Sequence, residues 1–97
     1  HLTPDGRRLL CSERTESTLT TINVAADGRL LDPPIVTDTE RQPRGFALSP
    51  DGRLVLAIGE KSTHLALSRL EADGTLTPLT RTPTGTGANW VRAIPLD

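Results

Sequence analysis

The sequence has no methionine and no tyrosine, and it has one residue each of cysteine, tryptophan and phenylalanine. Because Cys11 is alone, the chain cannot form an internal disulfide, and a single thiol suits a reducing compartment such as the cytoplasm. With so few aromatic rings, any core must come from Leu, Val, Ile and Ala side chains. Without methionine the chain lacks an initiator residue, so we expect it to be part of a longer protein.

Long apolar runs are also missing. No run approaches the roughly 18 residues that a membrane-spanning helix needs, and no signal peptide is visible. The formal net charge is −1, from 11 Lys and Arg against 12 Asp and Glu, so charge favours neither nucleic acid nor an anionic membrane as a partner. Two histidines and one cysteine at unrelated spacings predict no metal site and no cofactor. The glycine motifs of phosphate-binding loops, dinucleotide-binding folds and serine hydrolases are absent.

What the sequence does contain is a repeat. The turn Thr3-Pro4-Asp5-Gly6-Arg7 precedes the similar turn Ser49-Pro50-Asp51-Gly52-Arg53 by 46 positions (50 − 4). A second type of turn, Ala-Asp-Gly, occurs at Asp27 and Asp73 with the same offset (73 − 27). Asp-Gly supplies the positive φ that tight turns require. Two kinds of turn in register, without an insertion, indicate tandem repeat units.

Short apolar or β-branched runs lie between these turns and favour strands, and no stretch has the 3.6-residue period of an amphipathic helix. The predicted strands are residues 8–12, 17–24, 35–37, 45–48, 54–58, 65–70 and 76–82. We expect residues 1–3 to end a further strand, and residues 90–94 to form a strand that opens a third unit. Pro33-Pro34 is expected to break the chain before the strand at residue 35.

Four short strands in a unit of about 40–50 residues are typical of a β-propeller blade. The sequence therefore predicts an all-β fold of four-stranded antiparallel meanders, with repeat units at about 1–43 and 44–88 and the start of a further blade at 89–97. Because a propeller closes only with at least about four blades, we expect residues 1–97 to be the C-terminal part of a single larger propeller domain. A small β-sandwich is the alternative, but sandwich strands need not repeat in register.

Candidate site residues follow from the meander, in which loops alternate between two ends of each sheet. The tight Asp-Gly turns share one end, and the longer loops and blade-to-blade connections share the other, where we expect a site near the central channel. The chemistry-bearing residues there are Glu13, Arg14, Gln42, Arg44, Glu60, Lys61, His64 and Asn89. His64 is expected to be a strand-end residue. His1 aligns with Ala47, so it should face a neighbouring blade near the channel.

Three of these residues are cations that we expect to converge: Arg14, Arg44 and Lys61. A guanidinium can hold a carboxylate or phosphate with two parallel hydrogen bonds, and a lysine adds a point charge, so the pattern points to a small anionic ligand. In the alternative interpretation each cation is solvated or paired with a nearby glutamate, which would be Glu13, Glu16, Glu40 or Glu60. Trp90 would pack between blades or form the wall of a pocket.

Several of these runs resemble the C-terminal blades of the seven-bladed β-propeller 6-phosphogluconolactonases. The matching runs are residues 3–7, 11–15, 42–46, 60–62 and 87–91, and the resemblance covers essentially the whole chain. It implies hydrolysis of 6-phosphoglucono-1,5-lactone to 6-phosphogluconate in the pentose phosphate pathway, without a metal. Since similar enzymes act on other small anionic lactones, a lactonase or lactonising enzyme for another such substrate remains an alternative.

The resemblance also implies roles for individual residues. Arg14 matches a pocket arginine of that family, expected to stabilise the oxyanion or bind the substrate anion, and Arg44 matches the arginine of its Gln-Pro-Arg-Gly-Phe motif. With the residues that the meander places at the same end or near the channel, the substrate-binding candidates are Arg44, Gln42, Lys61, His1 and Asn89. The chain departs from the family at Glu13, where Asp is common, and at Glu60, where Gln is common and where the added charge weakens the case for Lys61.

The general base is expected outside this chain, because arginine stays protonated and cannot accept a proton. Glu13 is the one local carboxylate considered for a catalytic role. The remaining blades would complete the pocket, so the isolated chain is expected to be inactive and, with the faces of its end blades exposed, to associate. The alternative from another class is a non-catalytic propeller that serves as an interaction scaffold. Its arginines would only be solvated, which leaves the concentration of cations on one face unexplained.

Overall fold

The structure, a computed structural model, describes residues 1–88 and 90–96. The secondary-structure elements in these ranges are strands. They are β1 Arg8–Glu13, β2 Thr18–Val24, β3 Leu30–Asp38, β4 Pro43–Leu48, β5 Leu54–Gly59, β6 His64–Leu70 and β7 Leu76–Pro83. The all-β prediction is confirmed. Within the same residues, no helix has the length and apolar character needed to cross a membrane.

The strands form two antiparallel meanders, in which each strand pairs with its neighbour in sequence. One sheet has the order β1-β2-β3 and the other β4-β5-β6-β7. The second sheet has the four strands expected of a unit. The first has three, and residues 1–3 lie antiparallel beside β1, as expected of the end of a further strand. Leu2 pairs with Leu9 in a single bridge, and the backbones of His1 and Thr3 are hydrogen-bonded to those of Leu10 and Arg8.

The tight turns form as their residue types predict. In the two Pro-Asp-Gly turns, Gly6 and Gly52 have φ values of 70° and 73°, which glycine adopts without steric cost. The side chains of Asp5 and Asp51 accept hydrogen bonds from backbone N–H groups two residues on. An added Cβ on Gly52 would lie 2.7 Å from Pro4 Cδ. The two turns therefore abut at the same end of neighbouring sheets.

The core lies where the two sheets meet, at β1 and β4. Its buried members are Leu10, Leu19, Phe46, Val55, Ala57 and Leu76. Apart from Phe46 they are aliphatic, as the shortage of aromatic residues requires. Ser12 Oγ also donates a long hydrogen bond, 3.5 Å, to the backbone oxygen of Arg44. The packing of one sheet on the other thus fixes how the loops at the ends of β1 and β4 approach each other.

Two expectations about the strands are wrong. Pro33-Pro34 does not break the chain, because both prolines lie within β3. This is an edge strand, where a residue without an N–H group is tolerated, and the register with β2 shifts between Thr21 and Asn23 to accommodate the extra residues. The expected strand at residues 90–94 does not form. In the described part of the chain these residues pair with no neighbour, and Trp90 is 82% exposed instead of packed between sheets.

Candidate functional site

Three chain segments meet at the end of the molecule opposite the tight turns. They are the β1–β2 loop, the β3–β4 connection and the β5–β6 loop. Gln42 in the connection has a φ of 53°, and its N–H donates to Ser17 Oγ in the first loop at 3.0 Å. The N–H groups of Glu60 and Lys61 donate to the backbone oxygens of Gln42 and Arg41, at 3.0 and 3.2 Å. The connection is therefore hydrogen-bonded to both loops.

Gly59 allows this close approach. An ideal Cβ on this residue would lie 2.0 Å from the backbone oxygen of Arg41, a distance that real Cβ atoms do not reach. Since backbone atoms move at much greater cost than flexible side-chain ends, any larger residue would push the connection away from β5. Gly59 thus sets the position of Glu60, the next residue.

The structure brings Arg14 and Arg44 together around Glu60. Arg14 Nη2 lies 2.6 Å from Glu60 Oε2, and Arg44 Nη1 lies 2.7 Å from Glu60 Oε1. Arg14 comes from the β1–β2 loop of the first sheet and Arg44 from β4 of the second. Their side chains are 54% and 53% exposed, whereas that of Glu60 is 20% exposed. We call these three residues the rim cluster.

The charge of the rim cluster follows from its hydrogen bonds. The hydrogen bond from Arg44, supported by that from Arg14, holds the pKa of Glu60 below its ordinary value, although partial burial opposes this shift. With Glu60 ionised and both arginines protonated, the cluster carries one net positive charge. Among the described residues, each guanidinium makes its only side-chain hydrogen bond to Glu60. A guanidinium has five N–H donors, so most donors remain available to an anionic ligand.

The remaining predicted residues lie near the rim cluster in sequence but make other contacts. The carboxylate of Glu13 accepts hydrogen bonds from the backbone N–H groups of Thr15 and Glu16, which closes its own loop. Lys61 is exposed and lines a groove of about 670 Å³ whose lining includes neither arginine of the rim cluster. The backbone of Gln42 makes the contacts described above. Asn89 lies outside the described residues.

The two histidines lie apart from the rim cluster. His1 Nε2 is 2.8 Å from the backbone oxygen of Phe46, and the two rings meet edge to face with centroids 4.6 Å apart. His1 therefore contacts the neighbouring sheet, and together with Trp90 it lines a separate groove of about 690 Å³. His64 Nδ1 is hydrogen-bonded to Thr63 Oγ1 at 3.0 Å. In the described residues no group of three or more His, Cys, Asp or Glu side chains could hold a metal ion.

A second ionic cluster was not predicted from the sequence. Arg81 on β7 binds Glu40 in the β3–β4 connection through Nε at 2.9 Å and Nη2 at 2.8 Å, and Ser62 Oγ also donates to this carboxylate. The Glu40 side chain is only 7% exposed. The hydrogen bonds from Arg81, with that from Ser62, hold the pKa of Glu40 below its ordinary value despite burial. We call these three residues the buried cluster.

Comparison with known families gives one match over nearly the whole chain. A family model described as lactonase, 7-bladed beta-propeller, matches residues 1–93. Among curated proteins, a 6-phosphogluconolactonase of Photorhabdus laumondii is 43% identical over 97 residues, which cover 99% of this chain and 30% of the relative. A 6-phosphogluconolactonase of Serratia proteamaculans is 45% identical over 95 residues, which cover 97% of this chain and 29% of the relative. The chain thus spans less than a third of these relatives.

Solved structures agree on the fold. A Lactobacillus plantarum protein superposes with a TM-score of 0.82 at 28% identity, covering 93% of this chain and 27% of that chain. The periplasmic gluconolactonase of Pseudomonas aeruginosa superposes with a TM-score of 0.79 at 29% identity, covering 92% of this chain and 26% of that chain.

Proposed function

This chain belongs to the lactonase family of seven-bladed β-propellers, and we propose that the whole protein hydrolyses 6-phosphoglucono-1,5-lactone to 6-phosphogluconate. Relatives that are 43% and 45% identical carry the name of that activity. We further propose that residues 1–97 are the C-terminal part of the propeller domain. Blades would lie at about 1–43 and 44–88, with the start of a further blade at 89–97. Catalysis would then need the other blades, and the isolated chain would be inactive.

The observation that carries this proposal is the convergence of Arg14 and Arg44 from two different sheets. Both guanidiniums are half exposed at the end of the molecule where the long loops meet. Two adjacent cations fit a substrate that is itself an anion, and guanidinium groups match the geometry of phosphate and carboxylate oxygens. Arg14 and Arg44 are therefore the proposed ligands of the substrate anion.

The chemistry of the reaction indicates which residue stabilises the oxyanion and where the general base comes from. Water attacks the lactone carbonyl carbon, the bond from that carbon to the ring oxygen breaks, and the product is a carboxylate with a free hydroxyl group. The intermediate carries negative charge on the former carbonyl oxygen, which a fixed cation such as Arg14 stabilises. An arginine cannot accept the proton of the water, and the carboxylate of Glu13 is already bound to its own loop. The general base is thus proposed to come from another part of the propeller.

The test is turnover of 6-phosphoglucono-1,5-lactone by the full-length protein and by its Arg14→Ala and Arg44→Ala variants, corrected for spontaneous hydrolysis. Loss of one preorganised donor to a developing oxyanion typically lowers kcat by about 10²–10³-fold, and we expect a loss of this order for Arg14→Ala. Arg44→Ala removes a ligand of the substrate anion, so it should chiefly raise KM. Arg69→Ala is the matched control, because Arg69 is also 54% exposed and ion-paired, at 3.6 Å, but with Glu71 in the region of the tight turns. Variants that keep both full turnover and the wild-type thermal midpoint would contradict the assignment.

A lactone without phosphate is the second candidate substrate. It is favoured by the similarity to the P. aeruginosa periplasmic gluconolactonase and by Glu60, which neutralises one of the two arginine charges. Turnover of glucono-1,5-lactone in preference to its 6-phosphate would select this candidate. Absence of turnover with either lactone would favour the non-catalytic scaffold. We propose the cytoplasm as the location, because the exposed thiol of Cys11 is free and a free thiol persists in a reducing compartment.

A further inference from the structure

We propose that Glu60 is a positioning and specificity-determining residue, which holds Arg14 and Arg44 side by side and weakens their binding of dianions relative to monoanions. This inference rests on the proposed function, since it concerns the same anion site. It goes beyond that proposal because it assigns a role in ligand binding to the one residue of the rim cluster that cannot itself bind an anion.

The first reason is that Glu60 contacts both arginines at once. Each of its oxygens accepts one hydrogen bond, at 2.6 Å from Arg14 and at 2.7 Å from Arg44. Arg14 lies 46 residues before Glu60, which is the offset between the repeated turns. The position that carries a cation in the first sheet therefore carries an anion in the second. The contact exists because the two repeats differ at this position.

The second reason is that Glu60 is better fixed than its partners. Its N–H donates to the backbone oxygen of Gln42, and the next N–H, of Lys61, donates to Arg41. Gly59 on its other side lies against the Arg41 backbone. The arginines have long flexible side chains that are half exposed. A binding group needs such support from fixed neighbours if it is to keep its geometry, so the carboxylate orients the guanidiniums and not the reverse.

The third reason is electrostatic. Because Glu60 is ionised, an anion that binds both arginines also lies close to a carboxylate of the same sign. Repulsion between charges grows in proportion to the charge of the ligand, so a dianion such as a phosphate group is penalised more than a monoanion. Glu60 therefore reduces the affinity for phosphate while it preserves the spacing of the two guanidiniums.

The charge effect is tested by calorimetric binding of two probes, inorganic phosphate at pH 8 and gluconate, to the full-length protein and its Glu60→Gln variant. We expect the variant to bind phosphate roughly tenfold more tightly, about 1.4 kcal/mol by the relation between affinity and free energy. Gluconate affinity should change less. The difference should shrink as salt is added, since salt screens exposed charges. Glu71→Gln is the control, because it removes the same charge near the tight turns, where Glu71 pairs with Arg69.

The positioning effect is tested by comparing Glu60→Gln with Glu60→Ala. Both variants lack the charge, but only Gln keeps an oxygen that can accept a hydrogen bond from an arginine. We expect kcat of the Ala variant to be about tenfold or more below that of the Gln variant, because misplaced groups lose much of their effect on the reaction. Equal kcat values in the two variants would remove the positioning role.

These experiments separate this inference from the proposed function. Phosphate binding needs no turnover, so tighter phosphate binding by Glu60→Gln in a protein inactive on the lactone would support the inference and refute the proposed activity. If the wild type is active and Arg14→Ala is inactive, but Glu60→Gln binds phosphate no more tightly than the wild type, the specificity role is overturned and the activity stands. A wild type and a Glu60→Gln variant that both fail to bind phosphate would also overturn it.

Discussion

Glu60 and Glu40 are both bound by arginine in the long-loop half of the molecule, but the two carboxylates are held differently. Glu40 is 7% exposed, and a single arginine, Arg81, binds both of its oxygens. Glu60 is 20% exposed and receives one hydrogen bond from each of two arginines. In the buried cluster one cation and a serine surround the carboxylate. In the rim cluster one carboxylate lies between two cations.

From this difference we expect the buried cluster to contribute to stability, and the difference agrees with the proposed binding role of the rim cluster. Arg81 lies on the edge strand β7 and Glu40 in the β3–β4 connection, so their pair ties the outer strand to the connection. Arg81 donates two hydrogen bonds to the Glu40 carboxylate. This carboxylate is buried, and a buried charge without a partner would destabilise the fold. The rim cluster has an excess of donors over acceptors. We therefore expect changes in the buried cluster to alter the stability of the fold, and changes in the rim cluster to alter ligand binding.

The largest effect should come from Gly59→Ala, which removes the support that the two clusters share. The new Cβ would lie 2.0 Å from the backbone oxygen of Arg41, so the connection that carries Glu40 must move away from β5. Overpacking typically costs about 1–3 kcal/mol, and because the atoms met here belong to the backbone we expect a loss of about 3 kcal/mol. Chemical denaturation of the full-length protein measures this loss.

The control for this prediction is Gly85→Ala. An added Cβ there meets no atom within 4 Å, although the φ of 86° disfavours alanine, so only about 1 kcal/mol of strain is expected. If the two alanine variants are equally stable, the close approach at Gly59 does not constrain the fold.

The next largest effect should come from Arg81→Ala, which leaves the buried Glu40 carboxylate without its cation. Such a loss is strongly destabilising, and we expect the thermal midpoint of the full-length protein to fall by roughly 5–10 °C at neutral pH. Turnover by the protein that remains folded should be unchanged, because Arg81 lies outside the rim cluster. The Arg69→Ala variant, which removes an equally charged but exposed partner, should change the midpoint much less.

The same variant has a pH dependence with a definite sign. Because hydrogen bonds from Arg81 lower the pKa of Glu40 below its ordinary value of 4.5, pairing stabilises the fold above that pH and is lost as the pH falls through the folded-state pKa. The difference in midpoint between wild type and Arg81→Ala should therefore be full at pH 7 and shrink below about pH 4.5. A difference that stays constant from pH 7 to pH 3 would show that Arg81 acts through packing and not through its charge.

The two clusters also show which features of the structure can be predicted from the sequence and which cannot. The strands are predictable because β-branched runs such as β2 lie between Asp-Gly turns, which are local signals. The alternation of loops in an antiparallel meander predicts that the loops carrying Arg14 and Arg44 share one end of the molecule. This alternation does not predict which side chains form ion pairs. Glu40 and Arg81, for example, are 41 residues apart in the chain. Such a pair depends on how strands and connections pack.

The two wrong strand expectations have the same origin. Proline breaks a strand only where its missing N–H would have been bonded, so Pro33-Pro34 could be judged only once β3 was known to be an edge strand. An apolar run such as residues 90–94 forms a strand only beside a partner, and the sequence of the run does not supply one. Both expectations depend on which strands are neighbours in the sheet, and the local sequence pattern does not determine this.

The smallest effect should come from Gln42→Gly. Gln42 lies in the chain between Glu40 of the buried cluster and Arg44 of the rim cluster, so this variant tests whether the anion site includes the connection. Gln42 has a φ of 53°, in the left-handed region that costs a residue with a side chain roughly 1 kcal/mol. Glycine adopts it without steric cost, although it loses more conformational entropy on folding. Its contacts with Ser17 and Glu60 use backbone atoms, which glycine keeps. If the side chain has no role in binding, the variant should be as stable as the wild type or slightly more stable, with unchanged KM for the lactone. A stable variant with a raised KM would instead place the Gln42 amide in the substrate site, as predicted from the sequence, and would extend the anion site from the rim cluster to the connection between the sheets.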